Sequence, residues 1–134
     1  MSEETLSLIK PDAVSRNLIG KIIQIFEDNH LVIEQMKKIH IDIEFAKKFY
    51  SIHSDKPFFD DLCNYISSGP LVAIVLKGDN AIQKNRDLMG STNPKEAKPG
   101  TIRNLYALSI DKNSVHGSDS LENAKIEIDL FFNN

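Results

Sequence analysis

The run LVAIVL at 71–76, followed by Lys77, constrains the fold more than any other stretch of the chain. It is apolar at every position rather than every second one, so a strand made from it must be covered on both faces and belongs in the middle of a sheet. Gly69-Pro70 immediately before it ends whatever precedes. The rest of the chain must supply the neighbouring strands and the helices that cover them.

The flanking segments have the right patterns. TLSLIK at 5–10 reads as a short strand closed by Pro11, because the residue before a proline is pushed to extended geometry; Lys10 therefore stands at a strand end. Ile19, Ile22, Ile23 and Phe26 fall at helical spacing, which predicts an amphipathic helix over 19–30. A strand at 31–41 follows. Asp42 is then placed to cap a helix carrying Phe45, Ala46, Phe49 and Tyr50, which breaks at Pro57. Further helices are expected at 58–68 and 79–89. The last one carries Leu121, Ala124, Ile128 and Phe131 or Phe132 on one stripe, with Ser120 or Asp119 as N-cap. Between Gly90 and Asn113 the periodicity stops over a length unusual for a connection in a compact domain, and long ordered loops of this kind often carry function. Strands that alternate with helices in this way are compatible with a parallel α/β sheet as well as with an antiparallel one.

Of 134 residues, 41% are hydrophobic and 26% charged, which suits a single domain over residues 1–134 with its own core. Sixteen Lys and Arg against 19 Asp and Glu give a net charge of −3, so nothing global favours nucleic acid or an anionic membrane, and any anion site has to be built locally. Cys63 is the only cysteine; an intrachain disulfide and a cysteine-based zinc site are thereby excluded, and a reducing, cytoplasmic setting is expected. LVAIVL is too short to span a bilayer.

The familiar phosphate-binding loops are absent. Gly20-Lys21 lacks a glycine five residues earlier and continues with Ile22, so it is no P-loop, and no GxGxxG occurs. Side chains must do the work instead. Arg86 and Arg103 are the sharpest candidates, since guanidinium groups suit bidentate contact with phosphate oxygens, and Thr92 adds a hydroxyl donor. The same residues also read as an ordinary solvated face.

The stretch NSVHGSDS at 113–120 is more specific. If 115–118 is extended, His116 and Ser118 point to one side, with Gly117 leaving space between them. Glu127 stands at the border of the last helix's apolar stripe, where its carboxylate can turn toward that strand and touch the imidazole directly or through Ser118, fixing its tautomer. Taken alone, the stretch reads equally as a surface turn with a capping Ser-Asp-Ser. A serine hydrolase lacks support, because GxSxG is absent.

NSVHGSDS, together with IKPDAV, HSDKPFF and RDLMGSTNPKEAKPGTIR, closely resembles the nucleoside diphosphate kinases over essentially the whole chain. That resemblance implies an α+β fold with a ferredoxin-like βαββαβ core and a four-stranded antiparallel sheet. It implies that His116 is a nucleophile that takes the γ-phosphoryl group of a nucleoside triphosphate such as ATP or GTP on its pros nitrogen and passes it to a diphosphate, in ribose or deoxyribose form, with ping-pong kinetics. Ser118 and Glu127 match the family's residues around the imidazole, and Tyr50 the tyrosine close to it. Lys10 matches the lysine at a phosphate and the sugar, Asn113 the asparagine at the 3′-hydroxyl, and Arg86, Thr92 and Arg103 the phosphate contacts. Phe58 matches the ring that stacks on the base, with Leu62 on the base's other side. Mg²⁺ is implied as a cofactor that arrives on the nucleotide phosphates rather than in a protein metal site. A homo-oligomer, tetramer or hexamer, is implied, with no membrane or nucleic-acid partner. The chain departs from the family pattern at Asn104-Leu105-Tyr106, where an acid is usual before the aromatic, and at Ile52, where many bacterial relatives carry an acid. A relative of the same fold without turnover is the rival, and it is expected to lose at least one of these matched residues, all of which are present.

Overall fold

The computed structural model describes residues 2–133. The chain runs β1 (Ser2–Ile9), α1 (Pro11–Ser15), α2 (Ile19–Asp28), β2 (Val32–Ile39), α3 (Ile43–Phe49), a 3-10 turn at Ser51–His53, α4 (Phe59–Ile66), β3 (Leu71–Asp79), α5 (Ala81–Met89), α6 (Ile102–Tyr106), β4 (Val115–Gly117) and α7 (Leu121–Phe132). The four strands form one sheet in the order β2-β3-β1-β4. All three pairings are antiparallel, with Leu8 opposite both Ala73 and His116. The architecture is the α+β, ferredoxin-like arrangement. The parallel sheet that alternation alone permitted is not formed, because burial on both faces records coverage by helices and carries no information about strand direction.

The expected centrality of 71–76 has a direct cause in the packing. Val72, Ile74 and Leu76 enter one core cluster with Ile22, Phe26 and Ile102, while Leu71 and Ala73 enter a second with Phe49, Ile66 and Phe131. β1 divides the same way: Leu6 and Leu8 face the second cluster and Ile9 the first. Burying an Ile or Phe side chain contributes roughly 1.5–3 kcal/mol, so these two layers dominate the stability of the sheet.

Local signals set the ends of the elements. The Asp42 side chain accepts the Phe45 N–H at 2.8 Å at the start of α3, and Ser120 accepts that of Asn123 at 3.1 Å at the start of α7. Pro11 closes β1 and also opens α1 at its first position, where a missing N–H costs nothing; Lys10 is left extended between the two, at φ −77° and ψ 163°. The helix expected at 58–68 is shorter, with Phe58 as its N-cap residue. Within 90–113, α6 forms where no helix was expected: Thr101 caps it by accepting the Asn104 N–H at 3.3 Å, and Ile102 is wholly buried. Among the described residues no helix is long and apolar enough to cross a membrane.

Candidate active site

β4 is short and pairs only with β1, yet it fixes the orientation of His116. Period-two alternation along it puts His116 and Ser118 on the side of α7. Glu127, two turns into that helix, meets them both: its Oε1 lies 2.9 Å from His116 Nε2 and accepts the Ser118 hydroxyl at 2.7 Å. The carboxylate thus occupies one ring nitrogen and selects the tautomer with the proton on Nε2, leaving Nδ1 with its lone pair. Phe49 of α3 stands edge-on to the imidazole, with centroids 4.9 Å apart. Phe49 was read in the sequence only as part of a helix stripe.

Gly117 has a different reason from the one its sequence position suggested. It does not chiefly leave space between His116 and Ser118; α5 packs against it from behind. A Cβ there would run into the Asn85 amide and stand 2.7 Å from Met89 Sδ. The absent side chain lets α5 approach β4 closely.

Arg103 is buried beside this strand. Its Nη1 donates to the Gly90 carbonyl and its Nη2 to that of Val115, each at 2.9 Å, so the guanidinium joins the end of α5 to β4. Gly90 turns its carbonyl toward Arg103 by adopting φ +83°, with Thr101 so close that a Cβ would clash. Burial and the neighbouring Arg86 together push the Arg103 pKa down to about 10. Lys10, 7% exposed, donates from Nζ to Asn113 Oδ1 at 2.9 Å, and burial followed by the charge of Arg103 brings it down to about 8. Asp12 and Asp111 oppose that shift. Arg103 thus stands between two further cations, Arg86 and Lys10, and an anion beside it would be favoured.

The side chains of Arg86 and Thr92 are exposed and make no hydrogen bond among the described residues. They line, with Arg103, His116 and Gly117, one cleft of about 430 Å³. Its wall contains a single acid, Asp87. Tyr50 is buried, stacked edge-on against Phe49 at 4.8 Å, and burial raises its hydroxyl pKa with smaller contributions from Cys63 and Glu127. From Tyr50 the rings continue through His53 at 6.2 Å to Phe58 at a further 6.4 Å. Phe58 is 47% exposed with Lys56 over its face, and Leu62, one turn on, is half-buried. Phe58 and Leu62 do not line the cleft of Arg86 and Arg103; the ring series bridges the two places.

Of the two departures, Ile52 and Leu105 are both exposed, and Asn104 secures its own loop, accepting the Gly100 N–H at 3.3 Å and donating to the Ala97 carbonyl at 3.4 Å. Among the described residues no group of three or more His, Cys, Asp or Glu is placed to hold a metal ion.

Known proteins resemble this chain in sequence and in fold. The model of the nucleoside diphosphate kinase family matches residues 3–134. A nucleoside diphosphate kinase of Nitratiruptor sp. is 62% identical over 130 residues, covering 97% of this chain and 95% of the relative, and one from Campylobacter jejuni matches to the same extent. Among solved structures, the Aquifex aeolicus nucleoside diphosphate kinase superposes with a TM-score of 0.97 at 38% identity, covering 98% of this chain and 96% of the other. A Halobacterium salinarum nucleoside diphosphate kinase in complex with CDP gives 0.95 at 42% identity, over 100% and 90% of the two chains. With a family model that spans nearly its whole length and relatives this similar, the chain belongs to the nucleoside diphosphate kinase family and is a nucleotide phosphotransferase.

Proposed function

We propose that this kinase, acting as one domain over residues 1–134, transfers phosphate through a covalent intermediate on His116. The observation that carries the reading is the 2.9 Å contact between Glu127 and Nε2, which leaves Nδ1 as the free nucleophile. Nδ1 attacks the γ-phosphorus of a nucleoside triphosphate, a nitrogen–phosphorus bond forms, and the bond to the bridging oxygen breaks, releasing the diphosphate. The ring keeps its Nε2 proton and becomes cationic, and the Glu127 carboxylate stabilises that charge. The second half-reaction runs the same steps in reverse with another diphosphate.

Arg86, Arg103, Thr92 and Lys10 receive the phosphate oxygens, where negative charge spreads in the transition state. Lys10 and Asn113 meet the sugar at its 3′-hydroxyl, and Tyr50 closes the wall beside the imidazole. Phe58 stacks on the base with Leu62 opposite, and a ring face accepts any base, ribose or deoxyribose form alike. The cleft has one acid and two arginines, a donor set unsuited to a resident metal; Mg²⁺ would come with the substrate on its phosphate oxygens, where it would neutralise part of their charge. A homo-oligomer, tetramer or hexamer, in the cytoplasm completes the proposal.

The test uses labelled ATP and Mg²⁺ with no acceptor present. About one phosphate per chain should remain on the protein, stable in alkali and lost in acid as a phosphoramidate is, and His116→Asn should abolish it while still binding nucleotide. Label on Ser118, or transfer by His116→Asn near the parent rate, overturns the mechanism. A parent that binds nucleotide without labelling or turnover would be the non-catalytic relative.

A further inference from the structure

Immediately before the strand that carries His116, the backbone is strained. Ser114 has φ +74°, and the Val115 N–H donates to the Asn113 carbonyl at 2.9 Å, which closes a γ-turn of the rare, unfavourable hand around a residue that is not glycine. Such a turn persists only where its surroundings over-determine it. Ser114 is wholly buried and held from three sides. Its carbonyl accepts the Lys10 N–H at 2.9 Å, its hydroxyl donates to Asp12 Oδ2 at 2.9 Å, and Arg16 donates to that hydroxyl at 3.3 Å.

Asp12 is the hub. Its carboxylate also takes a hydrogen bond from Arg16 at 3.1 Å and one from the Tyr65 hydroxyl, while its own N–H donates to the Tyr65 oxygen at 3.1 Å. Arg16 reaches further to the Tyr106 carbonyl at 2.7 Å at the end of α6. Tyr65 lies three residues after Leu62 on α4, so one carboxylate ties the helix of the base platform, α1 and the 113–114 turn together.

We propose that Asp12, with Tyr65 and Arg16, clamps the Ser114 turn, and that this clamp aligns Asn113 with Lys10 for the sugar of the bound nucleotide. These are positioning residues, and the proposal rests on the reading of Lys10 and Asn113 as the sugar contacts. A release of the turn swings the Asn113 amide away from Lys10, so it costs selectivity for the 3′-hydroxyl before it costs the fold. A group needed only to fill the core would change stability and leave that selectivity alone.

The experiment compares kcat/KM for a nucleotide with and without its 3′-hydroxyl in the parent, Tyr65→Phe, Ser114→Ala and Ser114→Gly. Ala and Gly lose the same hydroxyl, but Gly adopts a positive φ freely while Ala keeps the strain with no anchor. The 3′-hydroxyl preference should drop roughly tenfold to a hundredfold in Ser114→Ala, the size of loss that follows a small misplacement, with a lesser drop in Tyr65→Phe and substantial recovery in Ser114→Gly. Parent-like preference in both Ser114→Ala and Tyr65→Phe overturns the clamp while leaving the sugar contacts intact. Equal loss in Ala and Gly also overturns it, since the turn's strain would then be irrelevant. A parent that does not distinguish the two nucleotides removes the sugar reading, and the clamp with it.

Discussion

Around His116, Arg86 and Thr92 apart, the side chains are largely buried and cross-linked, while the Phe58 ring is exposed and held by ring contacts. Arg103 has two carbonyl partners, Lys10 has Asn113, and His116 and Ser118 share one carboxylate oxygen. Phe58 has Lys56 over its ring and His53 tilted beside it. Under the proposed assignment of the residues, the contrast follows from what each end is asked to do. Phosphoryl transfer depends on donors fixed before the charge develops, because reorganising them during the reaction would add to the barrier. A base platform that must accept every base gains nothing from fixed polar partners, and a ring that keeps one face in solvent is sufficient. Rigidity is concentrated where the chemistry is, at a cost in buried cations.

The largest effect should come from cutting the brace at the rigid end. Arg103→Met leaves the carbonyls of Gly90 and Val115 without their donors and removes one charge from the cleft wall. A fall in kcat/KM of about 10²- to 10³-fold is expected, as for loss of one preorganised donor. Arg103→Lys should not restore it, because a single ammonium cannot reproduce the fork that spans both carbonyls. Steady-state kinetics decide the matter; full activity in the lysine variant would show that charge alone suffices.

Much of this end can be read in the sequence, and the part that cannot has a physical reason. His116, Ser118 and Glu127 are legible because strand alternation and a helix stripe converge on them within a few residues. The role of Arg103 as a brace is not, since its partners are carbonyls that any residue would offer. Gly117 invites the reading of a gap between two side chains, whereas the pressure on it comes from Asn85 and Met89 of a helix far back in the chain. The role of Asp12 is not legible locally, because of its partners only Arg16 is near in sequence, while Tyr65 and Ser114 are 53 and 102 positions away. In the fold, caps and apolar stripes located α2, α3 and α7. Three things escaped: α1, the short helix that Pro11 opens, α6, one short turn among prolines and glycines, and strand direction, which burial does not encode.

The next effect concerns stability and its sign. Lys10 titrates at about 8 in the native protein against 10.5 ordinarily, so between those values the unfolded chain binds the extra proton and stability rises with pH, by about 3 kcal/mol in all. Arg103, also depressed, acts in the same direction at higher pH. Tyr50 and Tyr65, both raised by burial, oppose it above pH 10. Urea unfolding from pH 7 to 10 should therefore show a rise in the parent that Lys10→Met lacks. Over the same range, transfer by the parent should weaken as the amine loses its charge. Superimposable stability profiles for the two proteins would mean that Lys10 is not held at a disfavoured charge, and the contrast between the two ends would lose its energetic basis.

The smallest effect belongs to the soft end. Phe58→Ala should weaken binding of every nucleotide by a similar factor, about 1–3 kcal/mol, because stacking on a ring face is indifferent to which base is stacked. The loss should appear in KM and leave kcat nearly unchanged, since nothing around His116 depends on Phe58. With the ring already 47% exposed, removing it should change unfolding stability by no more than about 0.5 kcal/mol. Measuring KM for a purine and a pyrimidine diphosphate separates the possibilities. A loss confined to one base would mean that the platform reads base edges, and a loss in kcat would mean that the ring series from Phe58 through Tyr50 to His116 couples the two ends. Equal losses in KM alone would leave the ends independent, with the rigid one answering for rate and the exposed one for breadth of substrate.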